Sequence, residues 1–300
     1  MGALMLVCVA SFAADDQPVW PGPIEGGYHL PNGWRITPVG KSVPTEDLIL
    51  NIQPSPDGKT MIAEHGGYNP HGLVVIDAKT DEVLQRIPLS SSWFGLAWRP
   101  DGTKLYVSGG NSRKESAPVY EFEYKDGRLS ERPVRNLMET IDPKEIYWAG
   151  LAHHPSKDVL YAASRTAGNV VVFDTATGEI LKRVKTEQTP CDLVLAPDGS
   201  RLYCSNLSSN SVSVIDTEGL EVVATIGVGD NPSDMVMHPD GRLFVCCAND
   251  NTVVVIDTAE SRKIESFPAS GIPAADPSAV TPPNSLLRRA IHERTNAANA

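Results

Sequence analysis

The chain has 300 residues, with 26 Lys and Arg against 37 Asp and Glu, for a formal net charge of −11. An acidic chain whose basic residues are scattered makes a poor nucleic-acid surface. At 41% hydrophobic and only 21% charged residues, it is not a generally disordered chain either.

Residues 1–14 are apolar and end in Ser11-Phe12-Ala13-Ala14 before Asp15-Asp16. This pattern resembles the apolar core and small-residue cleavage site of a secretory signal peptide, without a basic start, and it is too short to cross a bilayer as a helix. The expectation is an exported protein, periplasmic or extracellular, with no membrane span. Val7, ahead of Cys8, is bulkier than a lipidation site favours. Residues 15–45 form a Pro- and Gly-rich lead-in. Within it Trp34 to Val39 reads as a strand, either a closing strand for the last repeat or a plain arm.

From 46 to 269 one pattern recurs. An apolar run leads into Pro-Asp-Gly at Pro56, Pro100, Pro197 and Pro239, with His154-Pro155-Ser156 as a degenerate copy. These prolines step by 44, 55, 42 and 42 residues. A Leu-Tyr-Val-type strand follows each turn, and a second strand ends in Val-Ile-Asp-Thr or a close variant, at Asp77, Asp174, Asp216 and Asp257. A period near 42 with only strand and turn signals predicts an all-β fold, a β-propeller with one four-stranded, WD40-like blade per repeat. The charged stretch from Asn111 to Val134 lengthens the second repeat and reads as a loop or hairpin inserted near Tyr120–Tyr124.

Residues 270–300 read as linker and an incomplete sixth blade. Thr281-Pro282-Pro283-Asn284-Ser285-Leu286 resembles the strand starts at Thr189-Pro190-Cys191-Asp192 and Asn231-Pro232-Ser233-Asp234, but Arg289-Ala290-Ile291 stands where the turn should be. Seven blades of about 42 residues need about 294 residues of repeat, so the chain reads as a fragment of such a ring, about five blades complete.

No GxSxG elbow, HExxH or EF-hand loop is present, and Gly40-Lys41-Ser42 lacks the upstream glycine of a P-loop. Cys191, Cys204, Cys246 and Cys247 lack zinc spacing and read as buried thiols, with a Cys204–Cys246 bridge between blades left open. His65, His71 and Glu64 share one loop region without a geometry that enforces metal binding. His153, His154 and His238 sit at strand ends as hydrogen-bonded groups.

The remaining signal is positional. Asn51, Gly95, Gly150, Asp192 and Asp234 start the innermost strands and should face one mouth of a central channel. Asn51, Asp192 and Asp234 there form either a ligand or hard-cation site, or caps that accept backbone amides of their own or the next blade. Trp93 and Trp148, at the same mouth, either stack a ligand or fill space beside the glycines. No resident metal is assigned, and calcium is the divalent cation that such oxygens would take.

The Val-Ile-Asp-Thr strand ends, the Pro-Asp-Gly turns and the Leu-Tyr-Val strands together resemble the YVTN family of β-propeller repeats, over about residues 33–269. Leu30-Pro31-Asn32-Gly33-Trp34-Arg35-Ile36-Thr37-Pro38-Val39-Gly40-Lys41, with Ser92-Trp93-Phe94-Gly95-Leu96-Ala97, looks like the N-terminal propeller of exported bacterial proteins that join it to an alkaline-phosphatase-like phosphoesterase domain. The resemblance implies a seven-bladed ring followed by a metal-dependent hydrolase. This sequence ends before a phosphoesterase region, so that activity does not transfer to it. The reading is an exported binding or scaffolding module, not catalytic by itself, whose partner is a protein, a small polar ligand or a phosphoesterase domain. The alternative is a lactonase-like hydrolase with a metal or acid/base site built around Asp192 and Asp234.

Overall fold

The structure is a computed structural model that describes residues 20–37, 40–68, 70–111, 117–139, 141–142 and 146–269. The signal-like segment 1–14 and the incomplete blade at 270–300 lie outside the described residues. The chain divides into two compact units, Met1–Pro44 and Thr45–Ala300.

In the first unit, β1 (Gly22–Ile24), β2 (Gly27–His29) and β3 (Arg35–Ile36) make a small antiparallel sheet in the order β1-β2-β3. The segment considered as a closing strand is therefore hydrogen-bonded here, with Ile36 opposite Tyr28 and Arg35 opposite His29.

The second unit contains five successive antiparallel sheets, and among the described residues it forms no helix. They are β4 (Ile49–Pro54) to β5 (Thr60–His65), β6 (His71–Asp77) and β7 (Val83–Leu89); then β8 (Leu96–Trp98), β9 (Lys104–Ser108), β10 (Val119–Lys125), β11 (Arg128–Leu129) and β12 (Arg135–Leu137). The third is β13 (Trp148–His153), β14 (Val159–Ser164), β15 (Asn169–Asp174) and β16 (Ile180–Lys185). The fourth is β17 (Pro190–Leu195), β18 (Arg201–Asn206), β19 (Ser211–Asp216) and β20 (Glu221–Gly227), and the fifth β21 (Pro232–Met237), β22 (Arg242–Cys247), β23 (Thr252–Asp257) and β24 (Arg262–Pro268). Tyr120–Tyr124 itself belongs to the third strand of the second blade; the extra hairpin lies beside it, where the Asp126-Gly127 turn leads into β11 and β12, which share one edge of β10 and give this blade five strands.

Both recurring motifs are local hydrogen-bond devices. In the Pro-Asp-Gly turns the glycine amide closes on the residue before proline, as Gly58 N to Ser55 O at 2.9 Å, with Gly58 at φ +68°. The turn aspartate then accepts the amide two residues on, as Ser200 N to Asp198 Oδ1 at 2.9 Å, which holds that carboxyl below its ordinary range. In the degenerate copy the His154 ring takes this role, its Nδ1 accepting the amides of Ser156 and Lys157 at 3.2 and 3.1 Å. The aspartate ending the third strand caps the next turn, as Asp174 Oδ1 does for Ala176 N and Thr177 N at 2.7 and 2.9 Å.

The core lies between blades. Ile62, Leu73 and Val75 of the first blade pack on Leu105 and Phe122 of the second, and Tyr203 and Val214 of the fourth pack on Leu243 and Val254 of the fifth. Arg99 pairs with Asp158 at 2.7 Å and Lys157 with Glu218 at 2.7 Å across successive seams. In the fifth blade Phe244 and Cys246 are half exposed, whereas their fourth-blade counterparts Tyr203 and Ser205 are buried.

Candidate functional site

The inner strands β4, β8, β13, β17 and β21 line a cavity of about 680 Å³. Two glycines let them approach. A Cβ on Gly95 would lie 2.0 Å from the Ala149 carbonyl oxygen, and one on Gly150 would lie 2.6 Å from that of Cys191. These glycines bring adjacent inner strands into contact, so they do not simply leave room for a ligand.

Where the inner position is polar, the side chain joins blades. Asn51 Nδ2 donates to the Phe94 carbonyl at 2.6 Å, and Gln53 Nε2 donates to the Leu96 carbonyl at 3.0 Å. Asp192 accepts the Leu193 amide on Oδ1 and the Met235 amide on Oδ2, both at 2.8 Å. Its own amide donates to Ser205 Oγ at 2.9 Å, and that hydroxyl donates to the Ser233 carbonyl at 2.8 Å. Burial and the neighbouring Asp234 still push the Asp192 carboxyl up to about 7, against the pull of its two amides. Asp234 lines the same cavity and is pushed up by burial. No described donor pairs with it.

The structure thus places Asn51, Asp192 and Asp234 on the cavity wall, while Trp93 and Trp148 do not line it. Trp148 is fully buried, donates from Nε1 to the Ala117 carbonyl at 2.7 Å and meets Phe173 edge-on at 5.9 Å. It is a core residue, and the break in strand register between Trp148 and Leu151 removes it from the alternation that the rest of β13 follows. Trp93 is half-buried and packs edge-on against Tyr147 at 5.7 Å.

Besides Trp98, the aromatic residue of the lining is Phe94. It sits at φ +66°, flanked by a Gly95 N to Trp93 O bond of 2.8 Å. A positive central φ under such a two-residue hydrogen bond is the rare, strained form of the γ-turn.

Glu64 is the functional candidate that the sequence reading did not place here. It lies opposite Asn51 in the β4–β5 ladder, so the two side chains emerge on one face. The residue is fully buried, and neither carboxyl oxygen has a hydrogen-bond partner in good geometry. Burial pushes the carboxyl up to about 8, with the Ser92 hydroxyl and the Phe94 amide pulling the other way. Other blades carry Ser108, Ala163, Ser205 and Cys246 at this position. Comparing the repeats column by column exposes the acid as the exception.

Among the described residues no three His, Cys, Asp or Glu side chains cluster closely enough to hold a metal ion. Glu64 and His65 are strand neighbours on opposite faces, and His71 Nδ1 accepts the Ser92 amide at 2.9 Å. Cys191, Cys204, Cys246 and Cys247 are free thiols. Burial drives Cys191 to about 12 and Cys246 to about 11, so neither is a ready nucleophile.

A crystal structure of a functionally unknown protein from Desulfotomaculum acetoxidans DSM 771 superposes with a TM-score of 0.62 at 17% identity, over 76% of this chain and 73% of that one. A family model described as a lactonase with a seven-bladed β-propeller matches residues 95–221. The fold is a β-propeller. The matched segment runs from the inner strand of the second blade to the start of the outer strand of the fourth, and no curated protein matches the sequence.

Proposed function

We propose that this propeller is an exported binding or scaffolding module whose cavity at the inner strands takes a small polar ligand, and that it does no chemistry by itself. One observation carries the reading: both oxygens of Asp192 already accept backbone amides, one of them from the next blade. A carboxylate held that way stabilises the ring and is a poor nucleophile, base or metal ligand. The cavity remains, walled by backbone, apolar side chains and a few polar groups, which is the usual make-up of a ligand site. The repeat motifs support placing the chain among YVTN-type propellers, and the lead segment supports a setting beside a phosphoesterase domain. The apolar residues 1–14 support export, for which the expected result is a mature N-terminus just after Ala14, read by N-terminal sequencing of secreted protein.

A lactonase-like hydrolase is the second reading. The family match over residues 95–221 favours it, as do the Asp192 and Asp234 carboxyls, both raised by burial at one cavity. The two separate experimentally. A thermal-shift screen of small polar compounds should find stabilising ligands, and Val194→Trp, which fills the cavity from a half-exposed lining position, should abolish their effect. Ring-opening of lactones that Val194→Trp abolishes would establish the hydrolase instead.

A further inference from the structure

We infer that Arg165 anchors a second ligand site, outside the cavity, which holds the carboxylate of a small organic acid. Arg165 follows β14 and lies over the ring of Tyr147, the residue before β13, with its guanidinium carbon 5.1 Å from the ring centroid. Trp93 of the second blade meets the same tyrosine edge-on at 5.7 Å. All three side chains are half-buried, and none of them lines the cavity.

A guanidinium stacked on an aromatic ring uses its face and leaves its N–H edge free for a planar acceptor. Arg242 shows the completed arrangement in the fifth blade. It lies over Phe244 at 5.4 Å, and its Nε and Nη2 reach Asp240 Oδ2 at 2.8 and 2.7 Å. Arg165 has the ring alone. Among the described residues its guanidinium makes no hydrogen bond or ion pair, and the Tyr147 hydroxyl makes no hydrogen bond. Cys191 is the neighbour that both groups share; Asp192 and Asp234 also act on that thiol, but neither pairs with Arg165. A charge taken partly out of water is costly unless it is paired.

The fold does not ask for this arginine. Its amide donates to the Tyr147 carbonyl at 2.8 Å, and the same bond runs from Gly66 to Leu48, from Leu207 to Thr189 and from Ala248 to Asn231 in the first, fourth and fifth blades. Apolar side chains or none serve there, so the cation and its aromatic support belong to the third blade alone among these four. A carboxylate is the planar match to the free edge of the fork, and phosphate is the competing oxyanion.

The test is ligand-observed proton NMR of the full chain with benzoate, and with benzamide as its uncharged counterpart, at low ionic strength so that salt does not screen the contact. Benzoate should show saturable magnetisation transfer from the protein and bind about tenfold or more tightly than benzamide. Arg165→Leu, which gives the third blade the residue of the fourth, should keep the parent melting temperature and lose the binding. Arg165→Lys keeps the charge without the fork and should weaken binding about tenfold; it carries the test if Arg165→Leu fails to fold. Val194→Trp, which fills the cavity, should leave benzoate bound. Benzoate binding no tighter than that of benzamide, binding that survives in both Arg165 variants, or binding lost in Val194→Trp overturns the inference. Displacement of benzoate by an equal concentration of inorganic phosphate overturns the choice of a carboxylate.

Discussion

Asp192 and Met235 lie on the inner strands of adjacent blades, and the Met235 amide donates to the Asp192 carboxylate at 2.8 Å. The bond spans 43 residues, the same separation as Asn51 to the Phe94 carbonyl and Gln53 to the Leu96 carbonyl. Blade-to-blade stitching at a fixed offset is what a repeat architecture needs, since each repeat is stable only through its neighbours. Asp234 is the equivalent group on the last described blade, and among the described residues it makes no such bond.

The two aspartates should therefore respond differently to mutation. Asp192→Ala strands two amides and is expected to cost about 2 kcal/mol or more, whereas Asp234→Asn should stay within about 0.5 kcal/mol of the parent. Urea unfolding of the two variants measures the contrast.

Glu64 makes stability depend on pH. The unfolded carboxyl titrates near its ordinary 4.5 and the folded one near about 8. Between those values the native chain holds a proton that the unfolded chain has lost, so stability falls as pH rises through the window. Asp192 adds to the same trend up to about 7. Glu64→Gln should flatten the slope and be more stable than the parent above about pH 8; melting temperature against pH for both proteins reads it directly.

Gly95→Ala should destabilise by about 1–3 kcal/mol or more, because its methyl group would meet the Ala149 carbonyl at 2.0 Å. The loss should appear as a lower unfolding midpoint, with any ligand effect following only from reduced folding.

Trp148→Phe removes a buried N–H that satisfies the Ala117 carbonyl. It should cost about 1–3 kcal/mol and leave the affinity of any cavity ligand unchanged, measured by denaturation and titration on the same preparation.

The blades were legible in the sequence because their signals are local. Pro56-Asp57-Gly58 and its copies, and Asp77 with its counterparts, make bonds within a few residues, so each repeat states its own geometry. Asn51, Asp192 and Asp234 were legible as wall residues through their common register. What they bond to was not, since a partner 43 residues away depends on how adjacent blades meet. Trp148 left two readings open because it stands two residues before Gly150, and its side chain enters the core. Glu64 was hard to see for the opposite reason: a strand-position acid becomes conspicuous only when set against Ser108, Ala163, Ser205 and Cys246. Within the 111–134 stretch the extra hairpin is legible from Asp126-Gly127, but charge masks the alternation of β10, in which Glu121 is buried against Lys104 and Arg135.

Proton NMR of the chain mixed with a panel of lactones, polyols and amines reports binding and turnover in one sample, and so decides whether the cavity binds without reacting. A binding module shows saturable line broadening for at least one compound, lost in Val194→Trp, with every lactone left intact. Steady lactone ring-opening that disappears in Asp192→Asn and Asp234→Asn would make the cavity a catalytic site instead.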